Sequence, residues 1–95
     1  MFPNGEHDVM LLGKGRLRKL YGINPDINTW LSAWVAEVSY SVWRTSTDIS
    51  EHFPKVIKVS NDLFSFPVLS SKYSVRVILN FDKGIVLVTD IQANE

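Results

Sequence analysis

The sequence predicts an α+β fold in which N-terminal helices pack on a small, mostly antiparallel sheet of four to five strands. Two observations carry this prediction. Apolar side chains recur at helical spacing in the first half of the chain, and from Lys55 onward short β segments alternate with turn residues. A sheet with one apolar face needs a second layer to bury that face, and the preceding helices can supply it.

The main helix is predicted from a start signal and an apolar stripe. Asn24 can accept a hydrogen bond from the first turn, and Pro25 has no N–H group that would need a partner there. The stripe residues follow one another at steps of one, three, one and three, which places them on one helix face: Trp30, Leu31, Trp34, Val35 and Val38. This spacing favours core packing of the tryptophans over a role in stacking on nucleic-acid bases.

A short second helix is predicted from Ser46 to His52. Thr45 with Asp48 three residues later resembles a capping box, and Pro54 disfavours helical geometry at Phe53. For His52 the sequence leaves two roles open, an interaction with the last helix carbonyls or a proton donor in catalysis.

The second half of the sequence predicts an antiparallel meander. Strands are expected at residues 56–59, 63–69, 73–81 and 85–91, with an edge strand at 9–12 and a helical segment at 14–21 before them. Alternation along 73–81 puts Val75, Val77 and Leu79 on the core face and Arg76 on the other. Pro67 cannot donate to a ladder, so its strand is expected to be bulged or unpaired on that side.

Composition limits the class of protein. At 95 residues with 45% hydrophobic content, residues 1–95 are expected to form a single domain. Zero cysteines exclude disulfides, and together with an N-terminus that does not resemble a signal peptide they favour a cytoplasmic location. No apolar stretch is long enough to cross a bilayer, and His7 and His52 belong to no metal-ligand cluster.

The net charge of zero weakens any argument from bulk attraction to nucleic acid, but the charge distribution is uneven. Four cations fall within six residues: Lys14, Arg16, Arg18 and Lys19. Two interpretations stay open, a solvated helix face and a contact with RNA phosphates. The glycines around Lys14 lack the spacing of a phosphate-binding loop and indicate a turn.

The side chains resemble the HigB family of toxin–antitoxin systems, within the RelE-like toxins. The similar pattern extends from Leu17 to Ile91 without a gap. It includes Leu17-Arg18, Pro25-Asp26, Leu31, Ala33-Trp34, Ala36-Glu37-Val38, Trp43, Thr45, Asp48-Ile49, Pro54, Asn61-Asp62, Phe66, Tyr73, Asn80 and Gly84.

The resemblance implies a ribosome-dependent mRNA interferase, an endoribonuclease that cuts mRNA during translation. It also implies a cognate helix-turn-helix, HigA-like antitoxin as partner, and neither a cofactor nor a metal. In such cleavage the RNA 2′-hydroxyl attacks the neighbouring phosphate, so the protein has to orient the chain, stabilise the developing charge and assist proton transfer.

The chemistry implied by the resemblance centres on Arg76, the cation on the non-core face of the central strand. Arg76 is the best candidate for a phosphate contact, and an ion pair with Asp90 on the next strand is the alternative. Lys72 and Arg44 are lesser RNA-binding candidates. Asn94 occupies the position of the family's catalytic histidine, and an asparagine cannot exchange a proton near neutral pH.

Other positions also depart from the family pattern, which leaves the activity open. Ser50, His52, Ser74, Ile78 and Thr89 stand where basic residues are usual, and the expected glutamate, tyrosine and aspartate after the histidine position have no counterpart. The first hypothesis is a HigB-type toxin with a degenerate or shortened catalytic end. Its alternatives are a catalytically inactive module that binds the antitoxin, and an α+β domain of unrelated binding function.

Overall fold

A computed structural model describes residues 9–69 and 72–93 of the chain. The strands are Met10–Leu12 (β1), Ile57–Lys58 (β2), Leu63–Pro67 (β3), Tyr73–Asn80 (β4) and Ile85–Ala93 (β5); the helices are a 3₁₀ helix at Lys14–Lys19, then Pro25–Ser39 (α1) and Ser46–His52 (α2). Asn94 and most of the turn predicted at residues 70–72 lie outside the described residues.

The strands form a single five-stranded sheet in the order β1-β5-β4-β3-β2. The predicted meander is confirmed, because β2, β3, β4 and β5 pair in sequence and antiparallel. β1 is the predicted edge strand and pairs parallel to β5. Parallel pairing requires a crossover, which the helices between β1 and the meander provide. The predicted α+β class is therefore confirmed.

Both helix starts agree with their sequence signals. The Asn24 side chain accepts a hydrogen bond from the Ile27 N–H group at 2.9 Å, with Pro25 in the first turn. Thr45 and Asp48 form a complete capping box, and α2 has the predicted bounds. The helix predicted over 14–21 is instead a shorter 3₁₀ helix, and Gly15 within it disfavours a longer α-helix.

Pro67 ends β3 without a bulge. The Val68 N–H group donates to Tyr73 on β4, so position 67 is directed toward the β2 side of the strand. β2 pairs only with Phe64 and Ser65, and no ladder bond is required from the proline. Of the two predicted outcomes, the unpaired side is confirmed.

The core lies between the helices and one face of the sheet. α1 contributes four buried residues to it, Ile27, Leu31, Trp34 and Val38. The sheet contributes Phe64, Phe66, Val75, Val77, Val86 and Val88. Trp34 is buried and stacks on the partly buried Trp30 at 6.1 Å between ring centroids, which confirms core packing for Trp34.

The opposite face of the sheet is not covered by any helix in the described ranges. We call it the open face. It consists of Met10 and Leu12 on β1, Ile57 on β2, Leu63 and Ser65 on β3, Ser74, Arg76, Ile78 and Asn80 on β4, and Ile85, Leu87 and Asp90 on β5.

Candidate functional site

Arg76 lies near the middle of the open face. Its neighbours in register are Ser65 on β3 and Asp90 on β5. The Nε atom of its guanidinium is buried and has no hydrogen-bond partner among the described residues. A buried guanidinium N–H group without a partner is unfavourable, and an anionic oxygen is the ligand that best satisfies it.

A β-bulge places Asp90 beside Arg76. The β4–β5 register shifts between Arg76 and Val77, so that Val77 pairs with Val88 while Arg76 pairs with Asp90, and Thr89 is the extra residue. The Thr89 hydroxyl donates to the Arg76 carbonyl at 3.2 Å and holds the bulge. Because the extra residue reverses the alternation of β5, Asp90 faces outward and Ile91 packs against the core.

Arg76 and Asp90 do not form the ion pair that the sequence offered as an alternative. They are opposite each other, yet within residues 9–69 and 72–93 neither takes part in a salt bridge. A guanidinium with an unpaired Nε–H group can bind an anion, and a carboxylate beside it can accept a proton.

Serine side chains surround Arg76 in place of further charges. Ser65 and Ser74 are both buried although they belong to the open face. Ile78, two residues further along β4, is 39% exposed and apolar. Arg76 therefore lies between a small polar area and an apolar area of the open face.

The basic cluster of Lys14, Arg16, Arg18 and Lys19 lies at the β1–β5 edge of the sheet. Gly13 begins the 3₁₀ helix in a left-handed conformation, with φ of 80°. A Cβ atom at Gly13 would lie 2.6 Å from the Val88 carbonyl and 3.2 Å from the Arg16 guanidinium, so this turn is in close contact with β5. All four cations are exposed. The turn that carries them lies against Val88, two residues before Asp90 on β5.

Two other sequence candidates lie elsewhere. The Arg44 N–H group donates to Asp48 at the start of α2, on the helical side of the sheet. The Lys72 ammonium lies 5.6 Å from the centroid of the Tyr73 ring, at the start of β4. Asn94 is outside the described residues. Of the candidate residues, the described structure brings Arg76 opposite Asp90, and this pair is the candidate site.

His52 has different partners from those predicted at the helix end. The Trp43 indole N–H donates to His52 Nδ1 at 3.3 Å, and His52 Nε2 lies 3.2 Å from a Glu37 carboxylate oxygen. With Nδ1 as acceptor, the neutral ring carries its proton on Nε2 and donates it to Glu37. His52 also packs on Phe53, which contacts the core residue Phe66. It therefore lies on the helical side of the sheet, away from Arg76.

An apolar cavity of ≈ 320 Å³ opens on the helical side, lined mainly by Trp30, Phe53, Pro54, Val56, Phe66 and Pro67. Its lining is aromatic, but the titratable groups there are limited to His52 and Lys55. No group of three or more acidic or histidine side chains in the described part of the chain is arranged to hold a metal ion. No helix of that part has the length and hydropathy of a membrane span.

Comparison with known families agrees with this architecture. The family model described as HigB_toxin, RelE-like toxic component of a toxin-antitoxin system, matches residues 27–94. The chain belongs to the HigB family of RelE-like toxins. A search of curated proteins finds no match. The matched range of this HigB-family chain contains Arg76 and Asp90 and begins after the basic cluster.

Sequence reasoning treated Asp90 only as an ion-pair partner and did not place it as part of the site. The signal was present in the spacing of the apolar residues on β5. Val86 and Val88 are two residues apart, but the next core-facing residue, Ile91, follows after three. A change of period from two to three within a strand indicates a bulge and reverses the face of the residues beyond it.

Proposed function

We propose that this HigB-family toxin is an mRNA interferase in which Arg76 binds the phosphate to be cleaved. Its family membership makes it the toxic component of a toxin–antitoxin system. The observation that carries the finer proposal is the Arg76 guanidinium, whose Nε atom is buried without a partner among the described residues. A phosphate oxygen would supply the missing acceptor and would gain a charge-assisted hydrogen bond.

In the proposed reaction the nucleophile comes from the RNA itself, and no metal is required. The RNA 2′-oxygen attacks the adjacent phosphorus, the bond from phosphorus to the 5′-oxygen breaks, and the products are a 2′,3′-cyclic phosphate and a 5′-hydroxyl end. The 2′-hydroxyl loses a proton and the departing 5′-oxygen gains one. Arg76 stabilises the charge that develops on the phosphorane, and Asp90 beside it accepts the 2′-hydroxyl proton.

The departing oxygen has no obvious acid. In register with Arg76, the described open-face neighbours are Ser65 and Asp90, and no histidine or lysine is among them. Proton donation from solvent is slower than donation from a positioned acid, which typically contributes 10²–10⁴-fold. We therefore expect cleavage to be slow, at translated codons where the ribosome positions the mRNA.

A catalytically inactive, antitoxin-binding module is the second candidate. It is favoured by the apolar character of the open face beyond Arg76, where Ile78 and Leu87 are paired directly. An apolar surface suits a protein partner better than a phosphate chain. Cleavage in the cell separates the two candidates.

The experiment expresses the chain without its antitoxin and maps mRNA ends by primer extension. We expect growth arrest with cuts at positions set by the codon, and we expect Arg76→Ala to reduce cut yield about 10²-fold, since one oxyanion donor contributes on that order. Lys55→Ala removes an exposed cation on the helical side and should leave the cuts unchanged. Absence of cuts with wild-type chain would favour the inactive module.

A further inference from the structure

The open face carries a continuous row of apolar side chains across four strands of the sheet and the residue that follows β2. Leu12 pairs with Leu87, Leu87 with Ile78, and Ile78 with Leu63. The Val59 N–H group donates to the Leu63 carbonyl at 2.8 Å and continues the register beyond β2. We call these residues the apolar row: Leu12, Leu87, Ile78, Leu63 and Val59.

The apolar row is not part of the core. Leu12 is 41%, Ile78 39% and Val59 46% exposed. Core-facing neighbours on the same strands, such as Leu11 and Val86, pack toward the helices instead. Met10 and Ile57 extend the patch at its flanks and are also exposed. A contiguous exposed patch of this kind marks an interaction surface.

We propose that the apolar row docks an amphipathic helix of the antitoxin. The location of this docking surface is inferred from the strand register of the apolar row. The partner is inferred from the family membership, because the toxic component of a toxin–antitoxin system has an antitoxin. With a strand spacing of about 4.8 Å, the row is about 19 Å long, which is the length of a helix of about 13 residues. Apolar residues at i, i+4, i+7 and i+11 would follow it.

The size of the patch favours a helix over a second copy of the chain. The exposed apolar residues of the row and its flanks form one narrow strip, whereas each partner in a standard interface buries about 800 Å². To reach that area, a face-to-face dimer would also have to bury polar residues at the ends of the strands. A single docked helix covers a strip one or two side chains wide, so the apolar row alone is wide enough for it.

Charge adds a second requirement for the docked helix. Arg76 lies two residues before Ile78 on β4 and on the same face, about 7 Å away along the strand. Its buried Nε atom has no partner in the described structure. A carboxylate beside the apolar stripe of the helix would pair with it. The antitoxin and an RNA phosphate would then compete for Arg76; this competition alone rests on the proposed function.

The test measures the dissociation constant of the full chain with the antitoxin encoded by the adjacent gene, by titration calorimetry. Ile78→Lys and Leu12→Lys, at separate positions on the row, should each weaken binding tenfold or more. Val42→Lys is the matched control, since Val42 is 52% exposed on the loop between α1 and α2, and should stay within twofold. Circular dichroism verifies folding, and Leu12→Lys keeps the test valid if Ile78→Lys does not fold.

Several outcomes would overturn the proposal. The first is that the wild-type chain forms no complex with the antitoxin, and the second is that both row variants bind it within twofold of wild type. The third is that only Val42→Lys loses antitoxin affinity. The fourth is that the wild-type chain is a dimer which Ile78→Lys dissociates. Loss of RNA binding by Ile78→Lys with antitoxin affinity unchanged would assign the row to nucleic acid instead. If wild-type chain cuts no mRNA but the row variants still lose the antitoxin, the docking surface stands and the proposed cleavage fails.

Discussion

At the residue scale, the helix-capping hydrogen bonds were the contacts most predictable from the sequence. The Thr45 hydroxyl accepts from the Asp48 N–H group at 3.3 Å, and the Asp48 carboxylate accepts from the N–H groups of Thr45 and Arg44 at 3.2 and 2.9 Å. These contacts involve residues close in sequence, so the motif alone predicts them. They fix the start of α2 and with it the position of the buried Ile49.

Thr45→Ala should lower the free energy of unfolding by about 1 kcal/mol, because it removes the hydroxyl that caps α2. Urea denaturation of the purified chain measures this change. Thr47→Ala is the matched control, since Thr47 is exposed inside the same helix and alanine favours helix there. Equal free energies for the two variants would contradict the role of the cap.

Residues whose partners are distant in sequence were less predictable. The prediction for His52 considered its own helix, whereas its ring contacts Trp43 before α2 and Glu37 on α1. Those contacts arise from the packing of α1 against α2 and leave no periodic signal. Arg76 was found as the cation on the non-core face, but Asp90 was placed beside it only by a change in strand register.

At the element scale, β5 shows how one extra residue determines the site. The strand supplies core residues on both sides of the bulge, Val88 before it and Ile91 after it. A regular strand would put Asp90 on the core face and Ile91 in solvent. The bulge therefore lets a single strand serve the core and the open face together.

Deletion of Thr89 should leave Asp90 facing outward and Ile91 facing the core, because Asp90 then follows Val88 directly and pairs with Arg76 in a regular ladder. The free energy of unfolding should fall by only about 1 kcal/mol, for the lost hydrogen bond of the Thr89 hydroxyl, and urea denaturation measures this change. Arg76 and Asp90 should stay opposite each other in this variant, so cleavage that depends on them should be retained. Thr89→Ser keeps the chain length and the hydroxyl bonded to the Arg76 carbonyl, and should change stability by less than about 1 kcal/mol. A deletion variant that loses about 3 kcal/mol or more would contradict this expectation and show that β5 does not form a regular strand without Thr89.

At the scale of the whole molecule, the order of helices followed by a meander was predictable because each element has its own period. The helical stripe, the alternation along β4 and the turn residues all indicate the same α+β arrangement. The apolar row was not predicted. Its residues come from separate strands, including Leu12 in β1 and Val59 after β2, and only the strand register brings them together.

We place the proposed function on the open face, apart from the aromatic cavity on the helical side. The most direct measurement follows the Arg76 Nε–H resonance by nuclear magnetic resonance, assigned through its loss in Arg76→Lys. The probe is a short single-stranded RNA with 2′-methoxy groups, which cannot be cleaved. We predict that the Arg76 signal shifts on titration while the Trp30 indole signal, from the cavity lining, stays in place. A shift of the Trp30 signal with Arg76 unchanged would contradict the assignment of function to the open face.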